Sequence, residues 1–587
     1  MNLSLEQRIA GILVPVFALR GRKDLGIGDT AALIEFIDWA ADLGFRVGKI
    51  LPINETGGDH SPYNAISSRA LEPTTIHTAP GTLTDLHEAE YEEALRRIDT
   101  AKLNLDTVDY AVVKPLKRRL LEKAFLRFDH GPLRRDTKRG QEFRAFVEAE
   151  HEWLEDYAIF RALMERNGGS ERWDHWRQGH RSPGEARHWI STLPKQDARS
   201  LERRIRFFRY VQWIAFKQWR QVKAHASERG MALMGDIPFG ISYYSADVWA
   251  HPQLFKADWC GGTPPDKMFT HDRFVQKWGQ NWGIPLYDWE TMRRDDFRWW
   301  RARVRGVREF FDLFRIDHVL GFYRIYGFPW RPEHNAEFLE LNEQEVRQRT
   351  GDEMPRFQPR PDETAAQKLQ NQRDGEEYLR AVLSEAGAGR VVGEDLGEVP
   401  DYVRPSLKTL GIAGYKIPAW EKRKDGELIP GYDYERLSLA TYGTHDHDTL
   451  RVTWEELALA ANKPNGEKAR QEMRLLWRYA GLESEPSPVF TPEFHQALLR
   501  ALFRSNSWIA VVMITDLFGR SERFNLPGVA VGNWSGRLHA SIAQLSSESV
   551  VVTVTELLRE SGRASAAMGH AAQPRKDSSP AIEPSYS

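Results

Sequence analysis

The sequence predicts an α/β fold, a (β/α)8 barrel of the TIM type interrupted by large, mostly helical insertions. Three observations predict it. Short apolar runs recur along the chain, helical segments separate them, and several runs end on an acidic residue. Strands of a parallel sheet buried on both faces read as such runs. Acids closing several separate strands suit a barrel, whose functional face gathers all the strand C-termini. An open doubly wound sheet would concentrate them beside one switch point.

The elements follow in order. Residues 11–17 read as a first strand, and the GIGD turn leads into a helix over 31–43 with Asp29 and Thr30 as N-caps. A second strand follows at 47–52, completing a strand–helix–strand unit. From about 104 to 221 charge and helical periodicity dominate, as in 110–127 and 140–163, and predict a helical insertion. Strands return at 231–235, ending at Asp236, and at 311–316, ending at Asp317. Further strands are expected at 390–393 before Glu394, at 437–443 before His445 and at 509–514 before Asp516. Helices are expected between them, for instance over 376–385 and 466–479. The expected organisation is therefore a first part of the barrel over 1–103, a helical insertion over 104–221, and the rest of the barrel over 222–555 with a covering loop near 262–285. The Ala/Ser/Pro-rich tail at 560–587 lacks periodicity and is expected to be disordered.

Composition narrows the function. A chain of 587 residues exceeds a single simple core, and its 41% apolar share suffices to fill a large one. Charged residues make up 28% with a net charge of −2, so no basic excess points to nucleic acid. The apolar segment 9–19 contains Pro15 and leads into Arg20, Arg22 and Lys23, which reads as a buried strand and not a leader peptide. No run approaches the ~20 apolar residues of a membrane helix. The single cysteine, Cys260, forms no internal disulfide and no Cys/His spacing suggests zinc, which fits a reducing, cytoplasmic setting. Twenty tryptophans are many for this length; any one is more often core than sugar platform, but a cluster in one loop shifts the balance.

Three strings carry chemistry: FRIDH with Asp317, GEDLG with Glu394 and GTHDHD with Asp446. Each sets a carboxylate at or just past a strand end. Glycoside cleavage with retention needs two carboxyl groups ~5–5.5 Å apart, one attacking the anomeric carbon and one moving a proton. A third carboxylate holds the sugar and raises the proton donor's pKa by repulsion. Arg315, two residues before Asp317, is placed to keep that carboxylate ionised. A lone strand-end acid more often caps a helix or pairs with a base; three in this order with Arg315 and His445 beside them form a specific pattern.

With these residues in place the chain resembles the 4-α-glucanotransferase family, the amylomaltases or disproportionating enzymes, relatives of the α-amylases. The likeness runs from about residue 11 to 538. It includes LPINETGGDHSPYNAISSRALEP, GDIPFGISYYSADVW, TPPD, WGIPLYDW and ERFNLPG with GNWSGR. The resemblance implies Asp317 as nucleophile, Glu394 as acid/base and Asp446 as transition-state stabiliser, with Arg315 and His445 in support. It places Ser61, Pro62 and Tyr63 at sugar-contacting positions, Asn525 within reach of substrate, and Asp266 and Trp282 at the borders of a substrate-covering loop. His318 is a further candidate sugar ligand; His60, His271, Asp236 and Asp247 are weaker ones. It implies an α-1,4-glucan donor, a glucose or maltooligosaccharide acceptor, and no obligatory metal or organic cofactor.

The chain also departs from the family pattern. Lys267 and Met268 stand where an aromatic pair is usual, and the covering loop carries the extra stretch 268–281. Trp278, Trp282, Phe269 and Phe274 are the candidates to replace the missing platform. Gly48 and Lys49 stand where aromatic and Gln residues are frequent, and His447 where Asn is usual. Two other readings compete: a hydrolase using the same residues with water as acceptor, and a glycan-binding protein on an inactive scaffold. The intact set Asp317, Glu394, Asp446 and Arg315 argues against the second.

Overall fold

The structure is a computed structural model that describes residues 3–266, 272–527, 529 and 532–564. Eight parallel strands form a nearly closed barrel: β1 (Ile9–Leu13), β2 (Val47–Lys49), β3 (Ala232–Ile237), β4 (Leu313–Ile316), β5 (Val391–Gly393), β6 (Gly414–Lys416), β7 (Ser438–Ala440) and β8 (Ile509–Met513). Neighbours in space are neighbours in sequence. β1 also pairs with β8 over five residues, and β5 meets β6 at the parallel bridge Val392–Ala413. Seven of these strands stand where the sequence expects them. The exception is β6, whose three residues include a glycine and a lysine and so carry no apolar run.

Local chemistry explains the boundaries. The first helix, Thr30–Leu43, opens on Asp29, whose side chain accepts from the N–H groups of Ala31 and Ala32, and closes on left-handed Gly44. The helices Tyr110–Phe128, Lys138–Ala149, His151–Arg166, Pro183–Thr192 and Lys195–Glu228 occupy the helix-rich stretch. The expected single helix at 140–163 is two. Glu150 breaks it, its carboxylate turned to Arg69 Nη2 (3.0 Å) and Trp153 Nε1 (2.6 Å). The buried faces of these helices, including Phe125, Leu163 and Trp219, join the core that surrounds the barrel.

A second, antiparallel sheet was not foreseen. Its strands run Gln280–Tyr287, Phe255–Thr263, Ile325–Phe328 and Arg356–Gln358 across the sheet. Both ends of the expected covering loop thus belong to paired strands of a β-hairpin, and its connection carries the short helix Arg273–Lys277. Its strands mix Gly, Pro and charge, so they lack the alternation that marks a strand. All four strands follow the C-terminal ends of β3 or β4, which places this sheet at the functional face of the barrel.

The chain's end is also built into the fold as far as residue 564. Arg563 is fully buried and donates to the carbonyls of Phe503 (2.6 Å), Ile9 (2.7 Å), Ser505 (2.7 Å) and Ser507 (2.9 Å), so the expected disordered tail does not begin at 560. Residues 565–587 lie outside the described residues.

Candidate active site

Arg315 organises the barrel mouth. It is 2% exposed, while its strand neighbours Phe314 and Ile316 are wholly buried. Its Nη1 donates to both carboxylate oxygens of Asp236 (2.9 and 2.8 Å) at β3 and more weakly to Tyr63 Oη (3.4 Å). Its Nη2 lies 2.9 Å from Asp317 Oδ1 and 3.8 Å from Glu394 Oε2. One guanidinium thus faces both carboxylates. That caps the separation of those two oxygens at about 7 Å, below most of the ~6.5–9.5 Å range of inverting pairs and compatible with retaining ones.

Backbone hydrogen bonds fix the carboxylates. The N–H of Asp317 donates to Ile237 (3.0 Å) and that of Glu394 to Ile316 (2.9 Å), extending the ladder one residue beyond each strand. His318 then turns left-handed (φ 43°), and its N–H donates to Glu394 Oε2 at 2.8 Å. Burial pushes the Glu394 carboxyl up to about 8; Arg315 opposes this and Asp317 adds to it. Burial likewise pushes Asp317 up to about 6, again against Arg315. The ordering agrees with exposure, 15% for the Glu394 side chain and 27% for that of Asp317. Two carboxyls driven apart in this way can divide the roles of proton donor and anion.

Asp446 has a different setting. His445 Nε2 lies 3.1 Å from its Oδ2, and the Asn525 amide donates to its Oδ1 at 2.6 Å. Burial raises its pKa, but His445, Asn525 and Arg315 together outweigh burial and hold it below the usual carboxylate value. Burial drives the His445 imidazole down to about 4, so it is neutral near pH 7. Its ring stacks on Tyr63 (4.8 Å, 10°), and both rings lean on Trp534, which adopts φ 59°. Tyr63 in turn donates to Asp236 (2.9 Å), and Ser61 Oγ accepts the Tyr63 N–H (3.3 Å), holding the turn that presents the ring.

The hairpin supplies an aromatic wall. Gly261 pairs with Ile284 and Gly262 with Asn281, so Trp282 and Gly283 bulge from the strand. Bulges re-aim side chains, and here Trp282 meets His318 edge-on at 4.9 Å while staying 37% exposed. Trp278 is 7% exposed, donates to the Phe338 carbonyl (3.0 Å) and packs on Trp330, so it anchors the hairpin tip. Phe274 stacks on Phe328. Asp266 lies between the hairpin strands, its N–H donating to Val275. Lys267, Met268, Phe269 and His271 lie outside the described residues.

The structure thus brings Asp317, Glu394, Asp446, Arg315, His445, Tyr63, Asn525 and His318 into one constellation, with Trp282 at its edge. Asp247 is a brace: it accepts from Ser68 N–H (2.8 Å), Ser68 Oγ (2.5 Å) and Trp299 Nε1 (3.1 Å), while Ser245 caps the helix after it. His60 stacks on Tyr110. Cys260 is buried in the hairpin, its thiol pushed up to about 12 by burial, and is inert. Sequence reasoning underrated Asp236, whose signal was its place at a strand end, and missed Trp534 and Tyr415. Among the described residues no group of three or more His, Cys, Asp or Glu side chains is placed to hold a metal ion, and no helix is long and apolar enough to cross a membrane.

Comparison with known proteins identifies the family and the fold. Residues 14–543 match the family model described as 4-alpha-glucanotransferase. The 4-alpha-glucanotransferase of Chlamydia muridarum is 31% identical over 557 residues, covering 92% of this chain and 93% of that one. The 4-alpha-glucanotransferase of Thermus thermophilus is 28% identical, covering 90% and 95%. Among solved structures, amylomaltase from Streptococcus agalactiae in complex with acarbose superposes with a TM-score of 0.74 at 24% identity, covering 95% of this chain and all of that one. A buried arginine between strand-end carboxylates on a (β/α)8 barrel and a match spanning most of the sequence lead to one assignment: the chain belongs to the 4-alpha-glucanotransferase family.

Proposed function

We propose that this enzyme moves a segment of an α-1,4-glucan onto the 4-hydroxyl of glucose or a maltooligosaccharide by double displacement, in the cytoplasm. Asp317 attacks the anomeric carbon while Glu394 protonates the departing glycosidic oxygen, and the glucosyl ester of Asp317 forms. Glu394, now a carboxylate, takes the proton from the acceptor hydroxyl, which attacks the same carbon and frees Asp317. Asp446, kept ionised by His445 and Asn525, steadies positive charge at the sugar ring. The observation that carries this reading is the shared Arg315 guanidinium, which holds the two carboxylates together while burial leaves Glu394 the more basic.

Transfer requires that a sugar outcompete water at the ester. The hairpin and the exposed face of Trp282 support a site that receives a sugar ring and sheds water. Incubation with maltotriose tests this directly. Transfer yields a ladder of longer chains plus glucose and maltose; a product set containing only shorter sugars would reassign the enzyme as a hydrolase.

A further inference from the structure

The barrel interior holds a polar pair that the mechanism above does not use. The layers inside such barrels are ordinarily filled by branched apolar side chains, alternate strands supplying each layer. Here three even-numbered strands carry polar ones: Lys49 on β2, Arg315 on β4 and Tyr415 on β6, none more than 2% exposed. Lys49 Nζ donates to Tyr415 Oη at 2.7 Å. β2 and β6 lie four strands apart in a barrel of eight, so this bond crosses the interior and fixes the ammonium in its middle. Tyr415 is itself anchored, its N–H donating to Asp395 Oδ1 at 2.6 Å.

We infer that Lys49, clamped across the barrel by Tyr415 and in register with Met234, which pairs with Leu313, two residues short of Asp236 and Arg315, is a positioning residue that places a cation beneath the carboxylates and so sets the pH range in which the proton shuttle works. This inference rests on the roles proposed for Asp317 and Glu394. The groups facing Lys49 are Arg315, Asp236, Asp317, Glu394, His445 and Tyr415. Burial pushes its ammonium down to about 7, helped by Arg315 and opposed by Asp236, Glu394 and Asp317. The cation therefore carries charge below about pH 7, where Asp317 has begun to lose its proton, and there it faces Glu394 as the leaving oxygen takes that residue's proton. An ammonium there favours the ionised form of each carboxyl and makes Glu394 a stronger acid.

The test is the pH profile of kcat/KM for maltotriose disproportionation in Lys49→Met and Tyr415→Phe, with folding monitored by circular dichroism. Without the cation Asp317 holds its proton more tightly, so the acid limb should move to higher pH, by about 0.5–1 unit in Lys49→Met, while the alkaline limb, where the Lys49 amine is already largely neutral, should stay. Tyr415→Phe, which removes only the acceptor of the ammonium, should shift the acid limb the same way by less. Should Lys49→Met fail to fold, Tyr415→Phe decides alone. An acid limb coinciding with that of the unaltered enzyme in the folded variants would overturn the inference, whatever happens to kcat or Tm. Glucosyl fluoride separates the underlying reading: if Glu394 is the proton donor, the alkaline limb of the first step vanishes with this donor in the unaltered enzyme. A limb that persists there rejects the role of Glu394, and the role of Lys49 with it.

Discussion

The backbone N–H of His318 donates to Oε2 of Glu394 at 2.8 Å, so the residue directly after one carboxylate of the site orients the other. The bond needs the left-handed turn at His318, a conformation that costs a non-glycine residue on the order of 1 kcal/mol. It leaves Glu394 Oε1 as the oxygen to carry the mobile proton.

Replacing Asp317 with Asn should abolish turnover, by on the order of 10⁴-fold or more, because an amide cannot form the glucosyl ester. The fold and glucan affinity should persist, since Asn is nearly isosteric and Arg315 keeps Asp236. The measurement is maltotriose turnover beside calorimetric binding; turnover near that of the unaltered enzyme would reject Asp317 as nucleophile.

Glu394→Gln should lower glucan transfer by about 10²–10⁴-fold, the range for a lost general acid. With glucosyl fluoride, whose leaving group needs no proton, fluoride release should be largely retained. Equal losses on both donors would remove Glu394 from the acid role.

The pH dependence of kcat/KM should be bell-shaped. Asp317, pushed up to about 6, must lose its proton to attack, so activity rises through that value. Glu394, pushed up to about 8, must keep its proton, so activity falls through that one. The two limbs belong to the coupled pair. Neutralising Asp317 should remove the repulsion it contributes and lower the Glu394 value, a shift that carboxyl-selective NMR would report.

Trp282→Ala and Trp278→Ala should differ in kind. The exposed Trp282 ring is worth about 1 kcal/mol to a stacked acceptor, so its loss should cut transfer about fivefold and raise free glucose relative to lengthened chains. The packed Trp278 should instead cost about 3–5 kcal/mol of hairpin stability, with the product ratio unchanged. Chromatography of maltotriose products beside thermal melts distinguishes the two. A changed ratio in Trp278→Ala alone would reverse the assignment.

Asp516, after β8, offers a stability test away from the chemistry. It is 2% exposed, accepts from the N–H of Leu450 (2.7 Å), and burial pushes it from 3.8 up to about 7. The folded form binds the proton more tightly than the unfolded one. Its stabilising contribution is therefore complete below about pH 4 and lost as pH rises through about 7. Asp516→Asn keeps the acceptor oxygen and removes the charge. Its Tm should exceed that of the unaltered protein at pH 8, by the equivalent of roughly 2–4 kcal/mol, and the gap should narrow at pH 5 and close below about pH 4.

Much of this site was legible because strand ends announce themselves. Val391–Gly393 is an apolar run stopped by an acid, Leu313–Ile316 is one interrupted only by Arg315, and the barrel geometry converts that linear pattern into convergence. What stayed hidden depends on contacts between distant residues. Lys49 reads as an isolated charge in an apolar run until Tyr415, 366 residues later, lies across from it. The Gly414–Lys416 strand is recognisable only by its neighbours, since Tyr415 alone among its residues is fully buried. The bulge that turns out Trp282 arises from a register mismatch between two strands, which neither strand encodes alone.

The buried guanidinium of Arg563 bears on how the protein is made. The barrel seam joins β1 to β8, and Arg563 ties the carbonyl of Ile9 to those around Ser505 and Ser507. β1 therefore leaves a ribosome about 500 residues ahead of the strand that covers its outer edge. Until then that edge offers unpaired N–H and C=O groups to any passing strand. A nascent chain of this length needs its helical segments, or a chaperone, to shield that edge during synthesis. A stop codon just before Arg563 would leave every proposed catalytic group translated and the seam unlatched, so such a product should be made in full amount and recovered mainly as aggregate.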